Sequence, residues 1–182
     1  MARADDDLEL RARARRAYER ARLRAAVRST WPLAVLLSIC VLAGAPALPS
    51  LSIAAVHAVV VVVLLHRGGT AARAVTTGWL AGSLPLLTAL VSCRVPHACT
   101  HGSCASFCMP ACMAAATVAG IVIVRRTAGR GVATTAGAAL VVALTASMGC
   151  VAVGLASALA ALAGLLLVTT PALLLAASRR AP

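Results

Sequence analysis

Lysine, asparagine and glutamine are absent from this 182-residue chain, and aromatic side chains make up only 2% of it. Carboxylates are nearly as scarce: all five (Asp5, Asp6, Asp7, Glu9 and Glu19) fall at or before Glu19. Each absence excludes a chemistry. A body without carboxylates cannot carry paired-carboxylate hydrolysis, an Asp-held magnesium ion, a carboxylate proton relay or a Ser-His-Asp triad. So few aromatics offer no base-stacking surface. The expectation is a protein that is not an enzyme and has no nucleic-acid partner.

What is present is apolar. The chain is 61% hydrophobic and 12% charged, where a soluble domain runs to about 45–50% and about 25%. A helix needs about 20 mostly apolar residues to cross the hydrocarbon core. Stretches of that kind fall at 31–48, 50–65, 75–92 and 107–124. The apolar run 132–178 would be about 70 Å long as one helix, too long for a single crossing. It is expected to fold back at Ser147-Met148-Gly149-Cys150, giving spans 132–148 and 151–177, with Pro171 kinking the last. The fold class read from the sequence is therefore all-α, a polytopic membrane helix bundle of about six transmembrane helices over 31–178. Residues 46–50 suit either a loop or a re-entrant turn. Gly78-x3-Gly82 and the Ala156/Ala160/Gly164 stripe are expected to let helix backbones approach closely.

Arginine placement orients the bundle. Nine Arg lie before Trp31, Arg67 and Arg73 follow span 2, Arg125, Arg126 and Arg130 follow span 4, and Arg179 and Arg180 end the chain. Arg94 alone falls on the opposite side. The positive-inside rule then puts both termini in the cytoplasm, with 179–182 as a cytoplasmic tail. Trp31 and Trp79 are expected at the cytoplasmic ends of their spans. An n-region that reaches Thr30 and carries five acids is too long and too acidic for a signal peptide. The Arg-only, Ala-rich composition points to GC-rich bacterial codons, hence a multi-pass protein of a bacterial cytoplasmic membrane.

Residues 1–30 form a basic cytoplasmic arm expected to be helical, with acids first and Arg11, Arg13, Arg15, Arg16, Arg20, Arg22 and Arg24 after them, in keeping with the helix dipole. These side chains suit anionic lipid headgroups. They also suit an acidic cytoplasmic protein gripped by guanidinium forks.

The segment 93–112 concentrates the chemistry, with Cys93, His97, Cys99, His101, Cys104, Cys108 and Cys112 crowded into it. The topology makes it an extracytoplasmic loop, with Cys150 emerging on the same face. Three readings stay open. Oxidised, the five loop cysteines and Cys150 suffice for three disulfides. As thiolates, with the two imidazoles, they suit zinc or copper(I). As a redox sensor they would open and close with oxidant. Cys108 and Cys112 stand one turn apart at a helix start, where the positive helix end favours thiolate, so with Cys150 they are the redox candidates. Cys40 reads as a small core residue. His57, inside span 2, reads as hydrogen-bonded to neighbouring backbone or Ser.

The layout resembles the six-span bacterial anti-sigma factors of the negative-regulator-of-sigma type. The resemblance rests on the charged arm ending in Arg24-Ala-Ala-Val-Arg28, the cysteine-bearing segment entering span 4 and followed by Arg125-Arg126, and the Gly/Ala-rich span 5 ending in Gly149-Cys150. It implies that the arm holds a sigma factor at the membrane and that Cys112 and Cys150 form the signalling pair. The expectation is a regulator that senses an outer metal or redox signal and retains or releases a cytoplasmic partner. The alternative is a soft-metal (copper, zinc, mercury) transport or capture protein.

Overall fold

The computed structural model describes residues 2–94, 104–150 and 154–178. All regular structure among them is helical: α1 (Ala2–Arg28), α2 (Trp31–Leu42), α3 (Ala47–Arg67), α4 (Gly69–Arg94), α5 (Cys104–Thr127), α6 (Val132–Cys150) and α7 (Leu155–Ser178). Six stretches are long and apolar enough to cross a membrane: Glu9–Leu42, Ala47–Arg67, Gly69–Ser92, Cys108–Thr127, Val132–Cys150 and Leu155–Ser178. The chain is a multi-pass membrane helix bundle.

The first crossing differs from the expected 31–48. α2 stops at Leu42 because Gly44 turns left-handed (φ 94°) and Pro46 lacks an N–H. The Ala43 N–H closes the helix on the carbonyl of Ile39, and α3 starts at once after Pro46. Residues 43–46 are thus a tight turn. Alone, the 12 residues of α2 reach only about 18 Å, against about 30 Å of hydrocarbon. The missing length comes from α1, joined to α2 through a short turn at 29–30, with Pro32 in the first turn of α2. The arm is therefore not separate from the bundle at residue 30. Ala26 is buried, and Arg22 lies over Gly68 so closely that a Cβ there would overlap its guanidinium. That places a cation at the C-terminal, negative end of α3.

The second correction concerns the turn between the last two spans. α6 runs on through Cys150, and the chain turns at Gly154 (φ 126°), whose N–H returns to the Cys150 carbonyl at 2.8 Å. Gly149 is not a hinge. A Cβ on it would stand 3.2 Å from Leu86 Cα, so it serves helix contact.

That contact belongs to a ladder. Ala74, Gly78, Gly82 and Leu86 of α4 meet Gly137, Val141, Thr145 and Gly149 of α6, four residues apart on each helix and running parallel. A Cβ on Gly78 would lie 2.6 Å from Val141 Cβ, and one on Gly82 2.9 Å from Thr145 Cβ. α5 and α7 form the other close pair, with Gly164 against the Met113 carbonyl and Gly120 against Val168. Lipid tails are as apolar as Leu side chains, so these helices are held by backbone proximity rather than by water exclusion. The core joining the pairs is correspondingly small-residued, with Ala74, Ala81, Ala116, Ala138 and Ala161 around Ile123, Val142 and Leu165.

Candidate functional site

Where the first turns of α5 approach the end of α6, two cysteines face each other. The Cys150 thiol directs its S–H at Cys112 Sγ, 4.0 Å away, and both residues are fully buried. Helix periodicity explains the placement. Cys112, Ala116, Ala119 and Ile123 form one face of α5, turned into the core cluster that also holds Ala89 of α4 and Ala161 of α7. Cys150 follows Gly149, whose missing side chain brings α6 against α4. Cys112 precedes Met113, whose carbonyl is packed on Gly164 of α7. Each sulfur thus sits one residue from a tight backbone contact with another helix.

The chemistry open to this pair follows from the distance. A disulfide needs its sulfurs at about 2.05 Å, so closing the bond would draw the two groups together by about 2 Å. Cys108, one turn earlier on α5, is also fully buried. Cys40 is buried near the end of α2, packed with Ala45, Leu86 and Met148. Cys150 was expected on the same face as the 93–112 segment; α6 buries it there beside Cys112.

No known protein family, curated protein or solved structure matches this chain.

The rest of the Cys/His segment is placed only in part. His97, Cys99 and His101 lie outside the described residues, while Cys93 and Cys104 fall at the backbone ends of α4 and α5. Among the described residues no group of three or more His, Cys, Asp or Glu comes together to hold a metal ion. On the arm, Glu9 pairs with Arg13 at 2.6 Å and Glu19 with Arg15 at 3.0 Å, both one helical turn apart and exposed. Exposed pairs of this kind contribute only about 0.3–0.5 kcal/mol. Arg20 and Arg24 are exposed, and no carboxylate pairs with them among the described residues.

Sequence reasoning missed one polar contact. Trp79 Nε1–H donates to His57 Nε2 at 3.3 Å across the α3–α4 contact. Indole is only a donor, so Nε2 is the acceptor and the neutral ring carries its proton on Nδ1. That Nδ1 is buried without a partner among the described residues. α4 begins at Gly69, so the indole stands roughly 15 Å along the helix, half-buried and bonded across to α3. The signal available in the sequence was the pairing of the one mid-span His with the one mid-span Trp on consecutive helices.

Proposed function

We propose that this protein is a membrane-bound redox regulator: the Cys112–Cys150 pair is its input and the basic α1 arm its output. Under this reading both termini are cytoplasmic, and the arm holds an acidic cytoplasmic protein, a sigma factor by the resemblance in layout. The observation that carries the reading is the facing of two buried thiols, 4.0 Å apart, across α5 and α6.

Oxidation by a peroxide balances without any cofactor. One thiolate attacks the peroxide to give a sulfenic acid, and the second sulfur displaces the hydroxyl to form the disulfide. Two thiols and one hydrogen peroxide thus become one disulfide and two waters. Whatever part of the roughly 2 Å closure side-chain rotation does not absorb passes to neighbouring helices, because Met113 and Gly149 are pinned against α7 and α4. Close-packed contacts of this type switch between discrete arrangements rather than stretch. α4 follows directly on α3, against whose end Arg22 of the arm rests, which gives a continuous route from the pair to the arm.

The test is co-purification. Full-length protein from native cells should bring down a cytoplasmic partner that a chain lacking residues 2–28 does not. Peroxide should change the amount retained by the natural protein but not by Cys112→Ser. A partner set identical with and without the arm would sink the output half of the proposal. Partner retention that responds to peroxide equally in Cys112→Ser would sink the input half.

A second reading shares the same observation. Two sulfurs 4.0 Å apart can both reach one soft metal ion at about 2.3 Å per bond, as a metal-capture protein would need. Zinc, copper or mercury bound by the purified protein and lost in the Cys150→Ser variant would favour it.

A further inference from the structure

At the end of the bundle where α5 passes into α6, a cavity of about 450 Å³ opens between α5, α6 and α7. Its volume lies within the roughly 300–1,000 Å³ of small-ligand sites. The lining changes character along its depth. Val124 of α5 and Ala172 and Leu175 of α7 supply apolar walls within the membrane-crossing stretches. Thr127, Gly131 and Thr135 supply a polar mouth where α5 ends and α6 begins.

The mouth is a shaped turn. Gly129 (φ 78°) and Gly131 (φ 101°) hold left-handed conformations that side chains rarely adopt. Between them the Arg130 N–H closes the turn on the Thr127 carbonyl at 2.9 Å. The Thr127 and Thr135 hydroxyls bond each other at 2.8 Å, tying the end of α5 to the start of α6. Arg130 is exposed between Gly129 and Gly131, which both line the cavity, and Arg125 and Arg126 are exposed one turn back on α5. No ion pair to any of the three occurs among the described residues, and no carboxylate side chain exists in the sequence after Glu19. Arg130, borne by the turn whose glycines line the cavity, thus calls for an anion from outside the chain.

The walls decide which anion. Leu175 lines the cavity yet is 61% exposed, so the cavity is continuous with the lipid-facing surface of α7. A ligand with an apolar tail can enter sideways from the bilayer, and a free phosphate gains nothing from Val124, Ala172 and Leu175. Basic pockets between transmembrane helices are suited to anionic lipid headgroups.

We propose that this cavity binds one anionic phospholipid, with its phosphate on the Arg130 rim and its upper acyl chain against Val124, Ala172 and Leu175. The site is independent of the cysteine pair and lies at the opposite end of α5.

Native mass spectrometry on the full chain in a mild detergent tests it. Phosphatidylglycerol and phosphatidylcholine with identical acyl chains are offered separately, and inorganic phosphate is added as competitor. One phosphatidylglycerol should stay bound, retained at least about five-fold better than phosphatidylcholine, and Arg130→Ala should lower that retention by about five-fold. Ala172→Phe should abolish it by filling the cavity, with helicity measured alongside to show that the variant is folded. Arg130 is exposed, so its variant reports on binding even if Ala172→Phe fails to fold. Equal retention of the two lipids, or phosphatidylglycerol held unchanged by Arg130→Ala, overturns the proposal. So does displacement by millimolar inorganic phosphate, which would mark a site for a bare anion.

Discussion

Gly164→Ala tests whether backbone proximity holds this bundle together. The added Cβ would lie 2.5 Å from the Met113 carbonyl oxygen and 3.0 Å from Thr117 Oγ1. Carbon atoms in proteins keep at least about 3 Å from such neighbours, so α5 and α7 must separate by about 0.5 Å. A carbonyl oxygen inside a helix cannot rotate aside, and Thr117 is itself bonded to that carbonyl at 2.8 Å. Overpacking of this kind costs about 1–3 kcal/mol. Replacing Gly by Ala inside a helix returns up to about 1 kcal/mol through propensity. The net expectation is a loss of about 1–2 kcal/mol, roughly a 5–30-fold fall in the folded-to-unfolded ratio. Gly137→Ala is the control, because its new Cβ would meet only side-chain atoms, Ala74 Cβ at 3.3 Å and Leu64 Cδ2 at 3.5 Å, and it should be close to neutral. The assay is SDS-titrated unfolding in mixed micelles, followed by Trp79 fluorescence in a Trp31→Phe background. If Gly164→Ala unfolds at the same SDS fraction as Gly137→Ala, or at a higher one than the parent, the proximity argument fails.

Other outcomes follow from the same contacts. Trp79→Phe should destabilise by about 0.6–2 kcal/mol in that unfolding assay, read by circular dichroism, because it leaves both His57 nitrogens unpartnered; the double variant with His57→Leu should recover most of that loss. Gly68→Ala meets a left-handed backbone (φ 67°) and should cost about 1–3 kcal/mol in the same unfolding assay, the flexible Arg22 guanidinium swinging aside. Thr127→Val removes the bond to Thr135 and should cost about 1 kcal/mol. Peroxide should remove two alkylatable thiols from the natural protein at Cys112 and Cys150, and Cys150→Ser should form no bridge at Cys112.

Much of the architecture was legible because membrane insertion imposes simple rules on the residues themselves. A lipid-facing backbone must satisfy its own hydrogen bonds, so long apolar runs become helices whatever surrounds them. The role of Gly78 and Gly82 was legible for a related reason: small residues at helical spacing have few uses other than close contact. Their partners were not. Gly149 reads as a breaker next to Ser147 and Cys150, and only α4 passing at Leu86 makes it part of a ladder. The early end of α2 was hidden because Ala43, Ala45 and Ala47 look as helical as their neighbours, while Gly44 and Pro46 decide the turn between them.

The candidate site divides along the same line. Residue types alone excluded carboxylate chemistry, concentrated the sulfur at 93–112 and named Cys112 and Cys150 through the resemblance in layout. They could not say that Cys150 points inward, nor that Trp79 bonds His57, nor that a cavity opens beside Arg130. Composition and hydropathy act one residue at a time and so determine which segments enter the membrane. Which side chains meet depends on how far each helix runs and which face it turns to its neighbours. Small residues decide that jointly, from two helices at once, and only the packed bundle brings Cys112 and Cys150, far apart along the chain, to within 4.0 Å.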